Sequence, residues 1–487
     1  MQLQEVIICG SASSTSTAGS GAVTFHDIQT GSSLASFKQT SSASHCTAVV
    51  NTRDGQGGFI LAAQPDKTIL NMYSFQKDQI ALKIVLPERL SCISVDNQGT
   101  FCAGGTAQGR IYLWEIASGI LFNSWEAHYR QISVLRFSHD GTALFSGSED
   151  SGVSVWSVSR LVDDDLQSEL PTSYTQLSDH TLPITDIVCG VGSFPSCRLL
   201  TASVDHSVKL WDLSSKTLLT TFHFPHAIAC IAWDVTERLF FAASTDGSIH
   251  QVNLFSVRED KTGGRITEAV GGAGVSDIIR IGDQDPREAK KRLISIGEPV
   301  TTLKISLTTS LLLVGTSTGL INIYDIPSRQ LLRSITTHGG FGITYLDTMI
   351  KPPDLVGHVS LSLSVGGEKG GEMPVRPVMP FQRMREAKAR EAHEVTMLLP
   401  VQNKPTLESV TTYSSEELLR DYAVFVQPVS DDAPTVSLQS RVAELEDEVL
   451  RLRGQLDRAK EVNDVIWQTV VQKSSRPDDV SNSSKAV

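Results

Sequence analysis

The chain has 487 residues, 40% of them hydrophobic, with 42 basic and 54 acidic side chains and a net charge of −12. That balance argues against non-specific nucleic-acid binding by the chain as a whole, though not against a local basic patch. No apolar run approaches the ~18 residues of a membrane span, the first residues lack a basic stretch followed by an apolar core, and the seven cysteines show no Cys-x-x-Cys spacing. A reducing compartment without membrane attachment is therefore the expectation.

In chain order, the first strand-like runs are Glu5–Cys9 and Gly21–Phe25. A motif of glycine, alternating apolar residues and tryptophan then recurs. Its clearest copies are Gly109–Trp114, Gly152–Trp156 and Asp205–Asp212, and fainter ones place His26, Met72, Val252 and Tyr324 at the tryptophan position. The seven anchors are separated by 46, 42, 42, 55, 41 and 72 residues. A period near 40–45 residues with a Trp-Asp pair marks a four-stranded propeller blade. Within one unit, His128 precedes the alternating strand Ile132–Phe137, the turn Ser138–Gly141, the strand Thr142–Gly147, the turn Ser148–Gly152 and the strand Val153–Val158. Period-2 alternation broken by Asp-Gly and Ser-Gly turns reads as an antiparallel meander. The fold class expected is all-β, a seven-bladed WD-repeat propeller over 1–360, followed by an extended arm and a C-terminal α-helical coiled coil. The first blade lacks a lead strand, and Gly342–Ile350 is positioned to supply it and latch the ring.

Two sets of residues imitate catalytic triads: His128, Ser146 and Asp150, and His180, Ser203 and Asp205. A hydrolase needs one such site with an oxyanion hole, not a copy per repeat. In WD repeats a histidine before the first strand, a hydroxyl on the second and an aspartate in the next turn link to the tryptophan indole. His128, Ser146, Asp150 and Trp156 match that structural network, as do His180, Thr201 or Ser203, Asp205 and Trp211. His226, Ser244 and Asp246 repeat it with Val252 in the tryptophan place. Gly271–Gly274 lacks a dinucleotide loop's spacing, and Gly366–Gly371 has a lysine but no following hydroxyl, so neither reads as a phosphate loop. No catalytic, metal or cofactor site is expected.

The long last spacing places an insertion at about 256–297, read first as a charged surface loop, with a partner-binding insertion or an import patch at Lys290-Lys291-Arg292 as rivals. A smaller acidic loop surrounds Asp163–Asp165. Residues 361–436 form an irregular arm in which prolines 374, 377 and 380 favour extended chain. Pro380, Phe381, Arg383 and Met384 are candidate partner-binding residues, because Phe381 and Met384 are costly to expose unless a partner, or the propeller itself, covers them.

Over 437–473 the residues Leu438, Val442, Leu445, Val449, Leu452, Leu456, Ala459, Asn463, Ile466 and Val470 follow 4,3 spacing. With leucines 445 and 452 at d, Val442, Val449, Leu456 and Asn463 fall at a, and Ile466 at d. β-branched a positions, d leucines and a buried asparagine favour a parallel homodimer, and the pairs Arg441–Glu446 and Glu448–Arg453 suit it. Antiparallel packing on another subunit, or docking onto this chain, competes. Residues 474–487 read as a disordered polar tail.

Taken with the opening Val6–Gly10, the blade Ala103–Glu115 and the heptads Leu445–Leu456, the chain resembles the WD-repeat subunits of the rixosome, the fungal counterparts of human WD-repeat protein eighteen. The resemblance spans nearly the whole length, and departs in the missing tryptophans and at Ser256–Gly297. It implies a non-enzymatic scaffold of the nucleoplasm and nucleolus. Such subunits bind a helical-repeat scaffold subunit and a second helical subunit. Through that complex they meet a midasin-type AAA ATPase and the pre-60S particle during removal of the second internal transcribed spacer. Direct RNA contact stays open. The alternative is an adaptor or substrate receptor in another nuclear assembly, such as a ubiquitin ligase or chromatin complex. Trp211-Asp-Leu-Ser214 lacks the arginine of a Trp-Asp-x-Arg adaptor motif.

Overall fold

A computed structural model describes residues 4–13, 21–52, 57–163, 170–259, 265–271, 277–281, 293–355, 360–362, 372–374, 376–385, 443 and 445–460. It divides into two units, Met1–Pro400 and Val401–Val487.

The first unit carries seven antiparallel blades. Blade four is typical: Ile132–Phe137, Ala143–Ser148, Val153–Ser157 and Thr175–Leu177 follow one another as neighbours in the sheet. Leu144 pairs with Trp156 on one face and Phe145 with Val155 on the other, so alternate residues enter the two faces, and each face is buried against an adjoining blade. Ile184 and Ile187 of blade five, for example, close over Val134, Ala143 and Phe145 of blade four. A repeated polar stitch accompanies this packing. The residue after the start of a lead strand sends its hydroxyl to a carbonyl of the next lead strand: Ser91 to Ile132, Ser133 to Ile184 and Thr301 to Ile343, each at 2.6 Å.

Ring closure follows the expected latch. The blade containing Glu5–Ser13, Ala22–Asp27 and Ser33–Lys38 takes its lead strand from Phe341–Ile350, paired antiparallel from Glu5–Ile350 to Ser13–Phe341. An open ring would leave a long unpaired strand edge there, and the donated strand removes it.

The insertion is more than a charged loop. Phe255–Glu259 and Arg265–Ala269 form a hairpin, and Ile278–Arg280 adds a fifth strand, parallel to Thr217–His223, at the rim of blade five. Leu293–Ser295 then returns to complete blade six. Short β-capable runs such as Ile278-Ile-Arg280 find unpaired rim groups there. Residues 290–292 lie outside the described residues, as do most of 361–436 and the tail. Val158–Val162 forms a short helix before the acidic loop, of which Asp163 is described.

In the second unit, residue 443 and residues 445–460 are helical.

Candidate binding surface

The two full blade networks are now explicit. In blade four the His128 imidazole meets Asp150 at 3.1 Å and Ser146 Oγ at 2.8 Å, and Trp156 Nε1 donates to that same Oγ at 3.0 Å. In blade five His180 meets Asp205 at 2.9 Å and Thr201 at 2.8 Å, and Trp211 Nε1 donates to Thr201 at 2.9 Å. The structure thus selects Thr201, while Ser203 turns to the Leu182 carbonyl. Burial raises the Asp150 carboxyl, but the His128 hydrogen bond and charge, with the N–H groups of Gly152 and Tyr129, outweigh it and hold the group at about 2. The same balance, with His180 as the leading partner, takes Asp205 further below the usual carboxylate range. Ser146 and Thr201 are fully buried, and each already receives an indole N–H. No substrate carbonyl can reach either oxygen, so these sets position strands instead of attacking anything.

Blades without the full set depart in specific ways. In blade six Ala242 stands where Ser146 and Thr201 stand, and His226 is half-exposed, 3.4 Å from Asp246. In blade three the corresponding residue is Gly104, opposite Tyr112. Trp114 therefore has an indole but no hydroxyl partner within its blade.

The arm supplies the missing acceptor. Trp114 Nε1 donates to the Gln382 carbonyl at 3.0 Å. The Met379 N–H donates to the Ile116 carbonyl at 3.1 Å, and the Gln382 N–H to the Gly119 carbonyl at 2.8 Å. Phe381 stacks on Trp114, ring centres 5.1 Å apart and planes 16° from parallel, and Trp114 stacks in turn on Tyr112 at 5.3 Å. Only 4% of Phe381 stays exposed, in a cluster shared by blades two and three. Arg376 is buried beside it, donating to the Gln98 carbonyl and lying 6.0 Å from the Phe59 ring centre. Gly119 makes the close approach possible, since a Cβ there would sit 2.2 Å from the Pro380 carbonyl oxygen.

The four arm candidates accordingly separate. Phe381 is engaged with the chain's own propeller, the second of the two covers considered for it. Pro380, Arg383 and Met384 remain exposed, with Met384 at 76%, and Met379 joins them at 50%. Gly104 was the overlooked sequence signal: a tryptophan facing glycine where two other blades offer a hydroxyl needs an acceptor from elsewhere.

On the helix, Leu445, Val449, Leu452 and Leu456 are each about half exposed along one face. Val442, Asn463 and Ile466 lie outside the described residues.

The WD domain, G-beta repeat family matches residues 119–157, 171–212 and 216–253. Along the whole chain, pre-rRNA-processing protein IPI3 of Mycosarcoma maydis is 32% identical over 96% of this chain and 96% of that protein. The chain belongs to the family of IPI3 and WD repeat-containing protein 18. The pre-rRNA-processing protein crb3/ipi3 of Schizosaccharomyces pombe is also 32% identical, over 70% of this chain and 77% of its own length. Human WD repeat-containing protein 18 is 31% identical over 64% of this chain and 67% of its own. This IPI3-type chain thus combines a seven-bladed propeller bearing an attached peptide segment with a second unit whose helix exposes a leucine-rich face.

Proposed function

We propose that the chain is a non-enzymatic scaffold subunit in pre-rRNA processing, acting in maturation of the large ribosomal subunit and removal of the second internal transcribed spacer in the nucleus. The observation that carries the reading is the 32% identity, spread over 96% of both chains, with a pre-rRNA-processing protein. The blade hydroxyls support it, because they are consumed in structural hydrogen bonds. A helical-repeat subunit, a second helical subunit, the midasin-type ATPase and the pre-60S particle are the proposed partners, on the resemblance alone. The test is to purify the tagged chain from nuclei and, separately, to deplete it and measure spacer-containing precursor RNA. Ribosome-assembly factors and accumulated precursor are expected. Co-elution of ligase subunits, or unchanged precursor, would sink the proposal.

Two contacts are part of this reading. Phe381 acts as the tether that presents Met379, Pro380, Arg383 and Met384 to a partner. The leucine face of the helix joins two copies as a parallel coiled coil, since four half-exposed apolar residues at a and d positions gain by mutual burial. Sedimentation of the full chain at micromolar concentration should give a dimer. Leu445→Asp with Leu452→Asp should give a monomer, and an unaltered mass would remove the helix from the dimer contact.

A further inference from the structure

The closing blade carries a polar contact unlike that of any other blade described above. Strand Ala22–Asp27 carries His26 where blades four and five carry tryptophan, and His338 precedes the latch strand as His128 and His180 precede theirs. The two Nε2 atoms lie 3.0 Å apart, with ring centres 5.2 Å apart and planes at 89°. Thr24 Oγ1 lies beside both, 3.0 Å from His26 and 3.2 Å from His338. The centre-to-centre separation is close to the largest that a 3.0 Å contact allows, so the nitrogens point head to head. A bound zinc would need both lone pairs turned toward a third point ~2.0–2.1 Å from each nitrogen. Head-to-head imidazoles instead share one hydrogen: one ring donates and the other accepts.

A further proton would make this pair a buried cation: at the shared contact it sets two N–H groups against each other, and at an outer Nδ1 it leaves an imidazolium where His26 is 0% and His338 7% exposed. In blades four and five an aspartate in the turn after the second strand faces the histidine. Here the corresponding residues, 14–20, read Ser-Thr-Ser-Thr-Ala-Gly-Ser and contain no carboxylate. The surrounding elements contribute the Cys9 thiol, whose hydrogen-bond partner is Thr24, and hydroxyls from Ser11, Ser33, Ser36 and Thr337. Nearby charges are engaged elsewhere: Asp27 accepts from Thr30 and the Gln29 N–H, and Arg333 donates to the Thr30 carbonyl. A cavity of about 290 Å³ lined by both imidazoles and Phe341 adjoins the pair.

We propose that His26 and His338 form a proton-sensitive clasp on the latch strand, closed while the pair shares one hydrogen and opened locally when a second proton arrives. Desolvation lowers both histidines, and the neighbouring His26 charge adds to it at His338, which falls to about 4. Groups depressed in the closed state favour closure above the ordinary value of 6.5 and progressively lose that advantage as pH falls toward 4.

Hydrogen exchange on the full chain reads this directly, with blade four peptides (143–157) as the internal reference. Between pH ~7.5 and ~5.5, opening of peptides 5–13 and 341–350 should rise about tenfold more than that of the reference, the factor expected for one histidine moved from 6.5 to about 4. The double variant His26→Gln with His338→Gln should lose this excess. Latch peptides that track blade four in the wild-type chain would overturn the clasp, as would an excess that persists in the double variant. The wild-type measurement decides the matter by itself should the double variant fail to fold.

Discussion

A tryptophan indole has one N–H to place, and its partner distinguishes the three blades that carry one at the anchor. Trp156 and Trp211 reach hydroxyls that also hold a histidine, so each network ties a lead strand, a turn and the third strand together. Asp205→Ala should therefore leave His180 and the N–H groups of Thr181 and Ser207 without their acceptor, lowering stability by ~1–3 kcal/mol. Trp211→Ala should cost ~3–5 kcal/mol, because a cavity is added to the lost bond. Denaturant titration of the full chain measures both, and unchanged midpoints would refute the structural role. A pH prediction follows from Asp150. Its folded value of about 2 lies below the ordinary 3.8, so its contribution is complete above 3.8 and disappears as pH falls through 2. The gap in melting temperature between the wild-type chain and Asp150→Asn should narrow across that interval. A gap that stays constant would mean that the carboxylate charge is not what stabilises the blade. The identity of most network members was legible from spacing. The choice of Thr201 over Ser203 was not, because only the strand register decides which hydroxyl faces the indole.

At the scale of elements, the arm shows how a local gap in the repeat recruits distant chain. Gly104 removes the hydroxyl, Gly119 opens the backbone, and the segment from Arg376 to Gln382 fills the site with a stacked ring and three hydrogen bonds around Trp114. Phe381→Ala should release the segment, at a cost of ~3–5 kcal/mol typical of a buried phenylalanine, while the blades stay folded. Gly119→Ala should act similarly by clashing with the Pro380 carbonyl. Faster trypsin cleavage at Arg383 and Arg385, with a melt that stays cooperative at a lowered midpoint, is the expected readout; equal cleavage rates would show that the docked segment is not held by these contacts. Met384→Ser should leave cleavage untouched and weaken recovery of the helical-repeat partner, separating the tether from the surface it presents. The sequence marked Phe381 and Met384 as residues needing cover. It could not say which of them the propeller takes, since that depends on groups 268 residues apart in the chain. The insertion was harder still to read: three-residue strands such as Ile278–Arg280 carry no detectable period, and their pairing is imposed by the rim of blade five.

For the whole molecule, closure of the ring decides whether seven blades behave as one body. Repeat arrays gain stability from neighbour contacts, and in an open array the terminal repeats lack one neighbour each. The latch was legible because Gly342–Ile350 is a strand-like run after the seventh anchor without a blade of its own. In the structure it pairs along the full length of Glu5–Ser13, and Leu346 and Met349 contribute to the cores on its two faces. A chain truncated after Ile335 would retain every blade anchor and the complete fourth strand of blade seven, yet leave Ile7, Cys9 and Leu313 uncovered. Residues 1–335 should therefore be aggregation-prone, lacking the cooperative melt of residues 1–390, which keep both latch and docked arm. Adding a synthetic peptide spanning 336–352 to the shorter chain should restore a cooperative transition in proportion to peptide occupancy, because the strand is donated from outside the first three strands of its blade. A shorter chain that melts cooperatively at the same temperature without peptide would show that the ring is held closed by blade packing alone.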